Sequence, residues 1–420
     1  MSVWSRRLGA VGAALTVAMV APSGASAAPP PPSGGLDRAA LSATLEQVHD
    51  AGMYGVFSAA DAGPEQWRGA AGVADIATGR PVHPRMQQRV GSITKTFTAA
   101  AVLTLVAEHR IDLDSPIGRY LPKLVPGDRG QRITVRMLLN HTSGIGDYIG
   151  SAFPSLLHGS AKSLDDNRFR RFSLAGLARL GLAAPSTGDP GARWSYSNTN
   201  YILAGLLIER VTGVSAESYI TRTVIAPAGL EHTYFPRAPR IVGPHSKMYE
   251  NWYGLIDPPK DYSVYDMSWA GTAGALVSTT DDLNRFYRLL LTGRVLPAPM
   301  LREMQTTVPV YDPQGNVALR YGLGIYQLDS PCGPLWGHDG AVFGAGTQSL
   351  STPDGRRQVT FAINLMKYQR LGPDGMPMIH PIDIALARHL LTALCPPTAR
   401  PLAASTATLT LPLTHTSPFA

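Results

Sequence analysis

The sequence predicts an α/β protein of the α+β type, in which an antiparallel sheet is flanked by helices and carries an inserted, mainly helical lobe. Three observations support this fold class. Strand patterns occur near both ends of the chain, helical patterns fill the middle, and no internal repeat is present. Strands that are distant in sequence must then meet in one sheet, and we expect a functional site between the two lobes.

The first 27 residues match a secretory signal peptide. Arg6 and Arg7 precede an apolar run, and Ala25-Ser26-Ala27 provides the small residues of a cleavage site. We therefore expect a secreted protein, located in the extracellular or cell-wall space. The apolar run is too short to span a bilayer, and no later segment has about 20 uninterrupted apolar residues. A stable membrane anchor is accordingly not expected.

Composition divides the rest of the chain. A Pro-rich spacer covers residues 28–35, and the tail at 396–420, rich in Pro, Thr and Ala, is expected to be disordered or trimmed. Between them we predict a single domain at 36–395. Its two lobes are predicted as a sheet lobe at 36–90 and 271–395 and a helical lobe at 91–270.

The elements of this domain follow from the spacing of apolar residues. A helix opens it, and the strand patterns MYGVFSAADAG and QWRGAAGVAD follow as a hairpin. From Ser92 to about Leu230 the patterns are mainly helical. Strands return in GALVST, YGLGIYQL, GAGTQSLS and RQVTFAINL, before a closing helix from about Ile382 to Cys395.

The charge distribution argues against a nucleic-acid partner. The formal net charge falls from +7 to +5 when the two arginines of the signal peptide are removed, and the basic residues are scattered. The sequence also lacks a His-Glu-x-x-His motif, a phosphate loop and a complete Gly-x-Gly-x-x-Gly. Metal and nucleotide binding therefore lose their best support, and no cofactor is expected. We also expect a monomer that takes a small-molecule or peptide substrate.

Two cysteines, Cys332 and Cys395, lie in the part of the chain that would be exported. An even number in an oxidising compartment predicts a disulfide, here between a late loop and the last helix. Closing so long a loop would stabilise the fold by about 4 kcal/mol in the chain-entropy model. The alternative is a pair of free thiols.

The string VGSITKTF places Ser92 three residues before Lys95 at the start of an apolar helix. Serine is a preferred helix cap, so this residue is either a cap or a nucleophile whose base stands one turn away. A buried lysine near the positive end of a helix has its ammonium form disfavoured and can act as a general base. The Ser92 N–H, free at the helix start, can serve an oxyanion hole.

Two further clusters contain residues suited to the same chemistry. Tyr196 and Asn198 lie in a loop before a helix, where they form either a turn with a cap or a functional pair. A tyrosine near a lysine can relay a proton, and an asparagine amide can hold a substrate amide. His338, Asp339 and Gly340 follow on a predicted strand, where alone they indicate an ordinary strand end.

The three clusters, in this order, resemble those of the penicillin-recognising serine hydrolases, which carry Ser-x-x-Lys, Tyr-x-Asn and Lys or His-x-Gly. Within that group the chain is most similar to the secreted bacterial D-alanyl-D-alanine carboxypeptidases and class C β-lactamases. The resemblance runs from about Leu36 to Cys395 and includes ITVRMLLNHTSGI, WSYSNTNYILAGLLIE, MSWAGTAGALVSTTDDL, YGLGI and GHDG. It implies a β-lactamase/transpeptidase-like fold, no cofactor, and penicillins as acylating ligands.

The resemblance also implies a role for each site residue. Ser92 is expected to be the acylated nucleophile, with Lys95 and Tyr196 as its base and proton relay. His338 is expected to support Tyr196 electrostatically. Two parts of the cleft follow from the resemblance: Trp269 lines its acyl side, and the loop from Gly144 to Tyr148 forms its wall. The other residues expected to bind substrate are Asn198 as a clamp on the amide, Asp339, Gly340, and Ala341 as the second oxyanion donor.

The chain departs from the carboxypeptidases at the third cluster. His-Asp-Gly-Ala stands where they usually show His-Thr-Gly-Thr, and the preceding strand offers no arginine for a terminal carboxylate. An ionised Asp339 would repel that carboxylate by on the order of several kcal/mol. The leading prediction is a serine-type D-Ala-D-Ala carboxypeptidase that acts on peptidoglycan stem peptides through an acyl-enzyme. The alternatives are an esterase, β-lactamase, amidase or aminopeptidase on the same fold, and a non-catalytic peptide-binding envelope protein.

Overall fold

The computed structural model describes residues 35–373 and 375–395. The predicted signal peptide, almost all of the spacer, and the tail lie outside these residues. The helices are α1 Arg38–Asp50, α2 Thr94–Ala107, α3 Gly127–Arg132, α4 Val135–Leu139, α5 Ile149–Ala152, α6 Lys162–Asp166, α7 Leu174–Ala183, α8 Asn198–Thr212, α9 Ala216–Ile220, α10 Gly271–Gly274, α11 Thr280–Leu291, α12 Ala298–Met304 and α13 Pro381–Leu394. The strands are β1 Gly55–Ala62, β2 Glu65–Asp75, β3 Arg80–Pro81, β4 Gln88–Arg89, β5 Tyr249–Glu250, β6 Lys260–Asp261, β7 Val277–Ser278, β8 Val308–Tyr311, β9 Val317–Tyr321, β10 Tyr326–Ser330, β11 Gly333–Val342, β12 Ala345–Ser351, β13 Arg357–Ile363 and β14 Leu365–Met366.

One antiparallel sheet combines strands from both ends of the domain. Its nine strands lie in the order β3-β2-β1-β13-β12-β11-β10-β9-β8. The first hairpin joins the C-terminal strands because β1 pairs with β13, with Val56 opposite Ile363. This arrangement confirms the predicted fold class. The lobe boundaries at residues 90 and 271 stay a prediction.

Helices cover both faces of the sheet at β1. Ser58 Oγ bonds Nε2 of His389 on α13, and Asp61 on the same strand accepts a hydrogen bond from Asn284 of α11. Side chains alternate along a strand, so residues 58 and 61 point to opposite faces. Strand β1 is therefore buried along nearly its whole length, as expected for a strand in a sheet that is covered on both faces.

The apolar helix α2 lies at the centre of the helical region. Ten consecutive residues from Thr94 to Leu103 are buried, which an Ala-rich helix permits because its neighbours can approach closely. A 3-10 turn, Gly91–Ile93, leads into α2 and packs against β11 of the sheet. Neither α2 nor any other helix within 35–373 and 375–395 is long and apolar enough to cross a membrane.

Two of the strand predictions need correction. GALVST contributes only the two-residue strand β7, which pairs with β4 outside the main sheet. YGLGIYQL is a hairpin rather than one strand, because β9 ends at Tyr321 and β10 begins at Tyr326. Gly324 in the turn has a φ of 72°, and a Cβ there would lie 2.8 Å from the carbonyl oxygen of Lys95. The turn thus needs glycine both for its backbone angle and for its contact with α2.

The predicted disulfide is confirmed. Cys332 lies in the turn between β10 and β11, and Cys395 caps the C-terminal end of α13. The bond closes a loop of sequence separation 63. It holds the tip of a hairpin against the last helix of the domain.

Candidate active site

The Ser92 hydroxyl is held by two side chains. Ser92 lies in the 3-10 turn before α2, with Oγ 2.9 Å from Nζ of Lys95 and 2.7 Å from the hydroxyl oxygen of Tyr196. Within the described residues this hydroxyl bonds no backbone N–H of the helix that it precedes. Of the two interpretations of the sequence, the geometry favours a reactive hydroxyl over a helix cap.

Lys95 is completely buried behind Ser92. Its Nζ also donates to Oδ1 of Asn198 and to the carbonyl oxygen of Ala273, both at 2.8 Å. A neutral amine has two N–H groups, and these two acceptors can take both. The nitrogen lone pair then faces Ser92 Oγ, which is the geometry that a general base needs.

The electrostatic surroundings make the neutral amine accessible. Burial lowers the pKa of Lys95 to about 7, while the negative charges of Asp147 and Asp339 act in the opposite direction. A substantial fraction of Lys95 is therefore neutral near pH 7. This fraction can accept the proton of Ser92.

Tyr196 is a proton donor at this site. Burial raises the pKa of its hydroxyl well above the usual value, so the phenol is protonated at neutral pH. The hydroxyl donates to Ser92 Oγ, and the ring stacks at a tilt on His141, with centroids 4.3 Å apart. Nζ of Lys95 lies 4.8 Å above the same ring. Lys95 is therefore better suited to be the base, and Tyr196 to carry a proton.

Asn198, the first residue of α8, is oriented by a carboxylate that sequence reasoning missed. Oδ2 of Asp147 accepts hydrogen bonds from the backbone N–H of Asn198 at 2.6 Å and from its Nδ2 at 2.9 Å. The side-chain oxygen must then face Lys95, as observed. Asp147 belongs to the loop that the family resemblance assigns to the cleft wall, which was the available signal. The clamp role of Asn198 stays a prediction.

The ring of His338 bonds Tyr321 and the backbone of Asp339. Its Nδ1 lies 2.6 Å from the carbonyl oxygen of Asp339 and therefore carries the proton, so Nε2 accepts from the Tyr321 hydroxyl at 2.8 Å. Burial lowers the pKa of His338 to about 3, which leaves the ring neutral at physiological pH. The residue is thus an uncharged partner of Tyr321, and the expected electrostatic support of Tyr196 is not provided by a charge on this ring.

His141 is the imidazole that contacts Tyr196, and sequence reasoning missed it. Its Nδ1 accepts the backbone N–H of Ser197 at 3.2 Å, and its ring packs on Tyr196 and on Tyr321, the latter with centroids 4.9 Å apart. Burial lowers the pKa of His141 well below the usual value. A neutral ring packed between Tyr196 and Tyr321 fixes the position of Tyr196.

Asp339 places a carboxyl group in the cleft. Burial raises its pKa to about 6, while a hydrogen bond from Tyr326 and the charge of Lys95 oppose that rise. Nε2 of Gln348 donates to the Tyr326 hydroxyl at 2.7 Å, which directs the tyrosine proton towards Asp339. The group is mainly ionised above pH 6, next to an amine that is only partly charged.

Gly340 allows the sheet to touch the turn that holds Ser92. A Cβ on Gly340 would lie 2.7 Å from the backbone nitrogen of Ser92, and one on Gly91 would lie 2.7 Å from that of Ala341. Real Cβ atoms do not approach so closely, so this contact requires glycine on both sides. It brings Ala341 of β11 next to Ser92, as two oxyanion donors must be.

Most of these residues line one cleft of about 1140 Å³, whereas Lys95, His141 and Gly340 do not contribute to its lining. Tyr148 and Trp269 lie in its lining, and the Tyr148 hydroxyl donates to the Trp269 carbonyl oxygen at 2.6 Å. Within 35–373 and 375–395 there is no cluster of three or more His, Cys, Asp or Glu that could hold a metal ion. Other residues in the lining are Ser92, Asp147, Trp194, Tyr196, Asn198, Trp252, Tyr326, His338, Asp339, Ala341, Phe343 and Lys367.

The fold and the Ser-Lys-Tyr arrangement are of the type found in the serine hydrolases of the β-lactamase and penicillin-binding-protein class. A family model described as Beta-lactamase matches residues 41–375, and the chain belongs to that family.

Three similar proteins represent different activities of this fold. A D-stereospecific amidohydrolase from Streptomyces sp. is 37% identical, with a TM-score of 0.72 over 79% of this chain and 95% of that one. Esterase EstB from Burkholderia gladioli is 34% identical over 216 residues, which are 48% of this chain and about half, 54%, of the esterase. Penicillin-binding protein 4* from Bacillus subtilis (strain 168) is 27% identical over 332 residues, covering 76% of this chain and 70% of that protein.

Proposed function

We propose that the protein hydrolyses amides or esters whose leaving group carries no carboxylate, through an acyl intermediate on Ser92. The observation that carries the hydrolase part is the 2.9 Å contact between Ser92 Oγ and the buried Nζ of Lys95. The preference for a leaving group without a carboxylate follows from the carboxyl group of Asp339 in the same cleft.

In this mechanism neutral Lys95 takes the proton of Ser92 as Oγ attacks the substrate carbonyl carbon. The carbonyl oxygen becomes an oxyanion, held by the backbone N–H groups of Ser92 and Ala341. Tyr196 passes its proton to the leaving nitrogen or oxygen and regains one from the Lys95 ammonium group, and the amine or alcohol departs as its bond to carbon breaks. Water then attacks the acyl ester and gives a proton to neutral Lys95, and this proton passes to Ser92 Oγ as the acid is released.

The charge of Asp339 supports a leaving group without a carboxylate. Two like charges a few ångströms apart in a partly buried cleft repel each other strongly, and the cleft offers Asp339 where the carboxypeptidases have a threonine. The likeness to a D-stereospecific amidohydrolase and to an esterase supports the same choice. D-aminoacyl amides are therefore the first substrates to test.

The second candidate is a D-Ala-D-Ala carboxypeptidase. The likeness to a penicillin-binding protein over 76% of the chain favours it. Under this alternative, Asp339 would have to bind the terminal carboxylate in its protonated form. The third candidate, a non-catalytic peptide-binding protein, predicts no covalent adduct on Ser92.

A matched pair of peptides distinguishes the candidates. N-acetyl-D-Ala-D-Ala and N-acetyl-D-Ala-D-alaninamide differ only in the terminal group, and release of D-alanine or D-alaninamide is measured at pH 7.5. We expect kcat/KM to be at least about 10-fold higher for the amide, and Asp339→Thr to reduce that ratio. A preference for the free carboxylate would support the carboxypeptidase. Incubation with a penicillin followed by mass spectrometry, with Ser92→Ala as the control, tests the acyl-enzyme itself.

A further inference from the structure

A lysine lies in the aromatic part of the cleft lining, away from Ser92 and Lys95 in sequence. Lys367 directly follows β14, and its Nζ lies 3.7 Å from the ring centroid of Trp252 and 5.6 Å from that of Phe343. All three residues line the cleft that contains Ser92. We call Trp252, Trp269 and Phe343 the aromatic wall, since the Trp269 and Phe343 rings also contact each other at 5.1 Å.

The Lys367 ammonium group has no hydrogen-bond or ion-pair partner among residues 35–373 and 375–395. The nearest compensating charge, Glu250, is fully buried, and its two oxygens accept the backbone N–H groups of Trp252 and Gly344, each at 3.0 Å. Glu250 therefore offsets the charge without occupying the ammonium donors. Three N–H groups remain available for a ligand in the cleft.

The backbone that holds Lys367 is strained. Lys367, Trp252 and Tyr253 have φ values of 50°, 48° and 61°, in the left-handed region that side-chain-bearing residues seldom adopt. The three residues are linked, because the Tyr253 N–H donates to the Lys367 carbonyl oxygen at 2.7 Å. Strain of this kind costs on the order of 1 kcal/mol or more per residue and is concentrated at functional sites. Here it holds a cation over an indole ring inside a substrate cleft.

We propose that Lys367 binds a carboxylate on the acyl part of the substrate. This inference rests on the proposed function, because an acyl group attached to Ser92 occupies the same cleft. The aromatic wall includes Trp269, which the family resemblance places on the acyl side. Two charged side chains then select the substrate. Asp339 repels a carboxylate on the leaving group, and Lys367 attracts a carboxylate on the acyl group. Monoesters and monoamides of dicarboxylic acids belong to this substrate class.

Two ester series test the proposal. The first contains p-nitrophenyl monoesters of succinic, glutaric and adipic acid, and the second contains p-nitrophenyl esters of monocarboxylic acids of equal chain length. Both release the same leaving group, so the ratio of kcat/KM values reports recognition of the distal carboxylate. We expect a ratio of at least about 10 at one chain length. Lys367→Asn should abolish this preference, since asparagine tolerates the left-handed backbone, and Lys367→Arg should retain most of it.

Each outcome decides the proposal. A ratio near one at every chain length, or a ratio that Lys367→Asn leaves unchanged, overturns it. In 4-carboxyphenyl acetate the carboxylate belongs to the leaving group. If Lys367→Asn selectively lowers kcat/KM for this ester, the acyl-side assignment is overturned. If neither series is hydrolysed and Ser92 is never acylated, the proposed function fails. Binding at Lys367 is then tested separately, by calorimetric titration of the Ser92→Ala protein with monomethyl adipate. Binding that is at least about 10-fold weaker in the Ser92→Ala, Lys367→Asn protein supports the Lys367 site, and equal binding overturns it.

Discussion

Nζ of Lys95 lies 2.9 Å from Oγ of Ser92. The same nitrogen donates hydrogen bonds to Oδ1 of Asn198 and to the carbonyl oxygen of Ala273. The amine is thereby fixed in the one orientation in which its lone pair meets the serine hydroxyl. Because the group is fully buried, water does not compete for that lone pair. The predictions that follow test this relationship and the contacts that support it.

Removing the amine should abolish the base. Lys95→Met keeps the apolar stem but has no nitrogen, and we expect kcat/KM for p-nitrophenyl acetate to fall by about 10²–10⁴-fold, the usual contribution of a general base. Ser92→Ala should reduce turnover to the background. Lys162→Met is the matched control, because Lys162 is exposed and pairs with Asp166 on its own helix. Parent-level activity in Lys95→Met would refute the assignment.

The pH profile should report Lys95. Its pKa of about 7 means that the neutral form is lost as the pH falls through 7, so kcat/KM for a neutral ester should rise with pH and level off above it. The charge of Asp147 raises that pKa, and Asp147→Asn should therefore move the midpoint to lower pH. Asp166→Asn, at an exposed site, serves as the control. A midpoint near 10 would contradict the role of burial.

The selectivity against carboxylates should depend on pH. The pKa of Asp339 is about 6, so protonation below this value removes the repulsion. We expect the kcat/KM ratio of N-acetyl-D-Ala-D-Ala to its terminal amide to rise as the pH falls through 6. Lys95 affects both substrates equally and cancels in the ratio. Asp339→Asn should give a ratio that does not change with pH, and a pH-dependent ratio in that variant would exclude Asp339 as the cause.

A methyl group on Gly340 should separate the sheet from the 3-10 turn that holds Ser92. Its Cβ would meet the backbone of Val90 and Ser92, which cannot move aside as a side chain can. We expect Gly340→Ala to lower the unfolding free energy by about 1–3 kcal/mol and to slow acylation by a penicillin. Gly150→Ala is the control, because the three atoms nearest to the added methyl all belong to the half-exposed side chain of Leu157. Unimpaired acylation in Gly340→Ala would argue against the proposed oxyanion geometry.

The disulfide should contribute to stability and not to catalysis. Its loop of sequence separation 63 predicts a loss of about 4 kcal/mol in unfolding free energy when Cys332 and Cys395 are both replaced by Ser. Urea unfolding of the oxidised, reduced and doubly substituted proteins measures this difference. The kcat/KM of the folded variant should match the parent. A loss below about 1 kcal/mol would show that the unfolded chain gains little freedom when the link is removed.

The parts of the site that sequence could predict are local. Ser92 and Lys95 are three residues apart on one helix, and helical geometry alone brings them within reach. Asp147 could not be found in this way, because its partner Asn198 lies 51 residues further along the chain and only the tertiary fold joins them. His141 acts on Tyr196 through ring packing, which leaves no pattern in the sequence.

The fold shows the same division. Apolar periodicity predicted the opening helix, the mainly helical middle of the chain, the closing helix, the first hairpin and the fold class. It merged β9 and β10, because a turn whose glycine packs on α2 looks like a continuous strand when only apolar residues are counted. Tyr321, at the end of β9, was thereby missed as the partner of His338. Export and the monomeric state stay predictions.

The position of β1 between β2 and β13 has a consequence for how the molecule assembles. Ser58 on β1 and His389 on α13 bond each other although 331 residues separate them. The first hairpin therefore cannot pair its free strand edge with β13, or pack its apolar face on α13, until the last part of the chain has been synthesised. Such distant pairings carry a large loop-closure entropy and make folding slow. The native sheet therefore forms only after synthesis has passed β13 and α13.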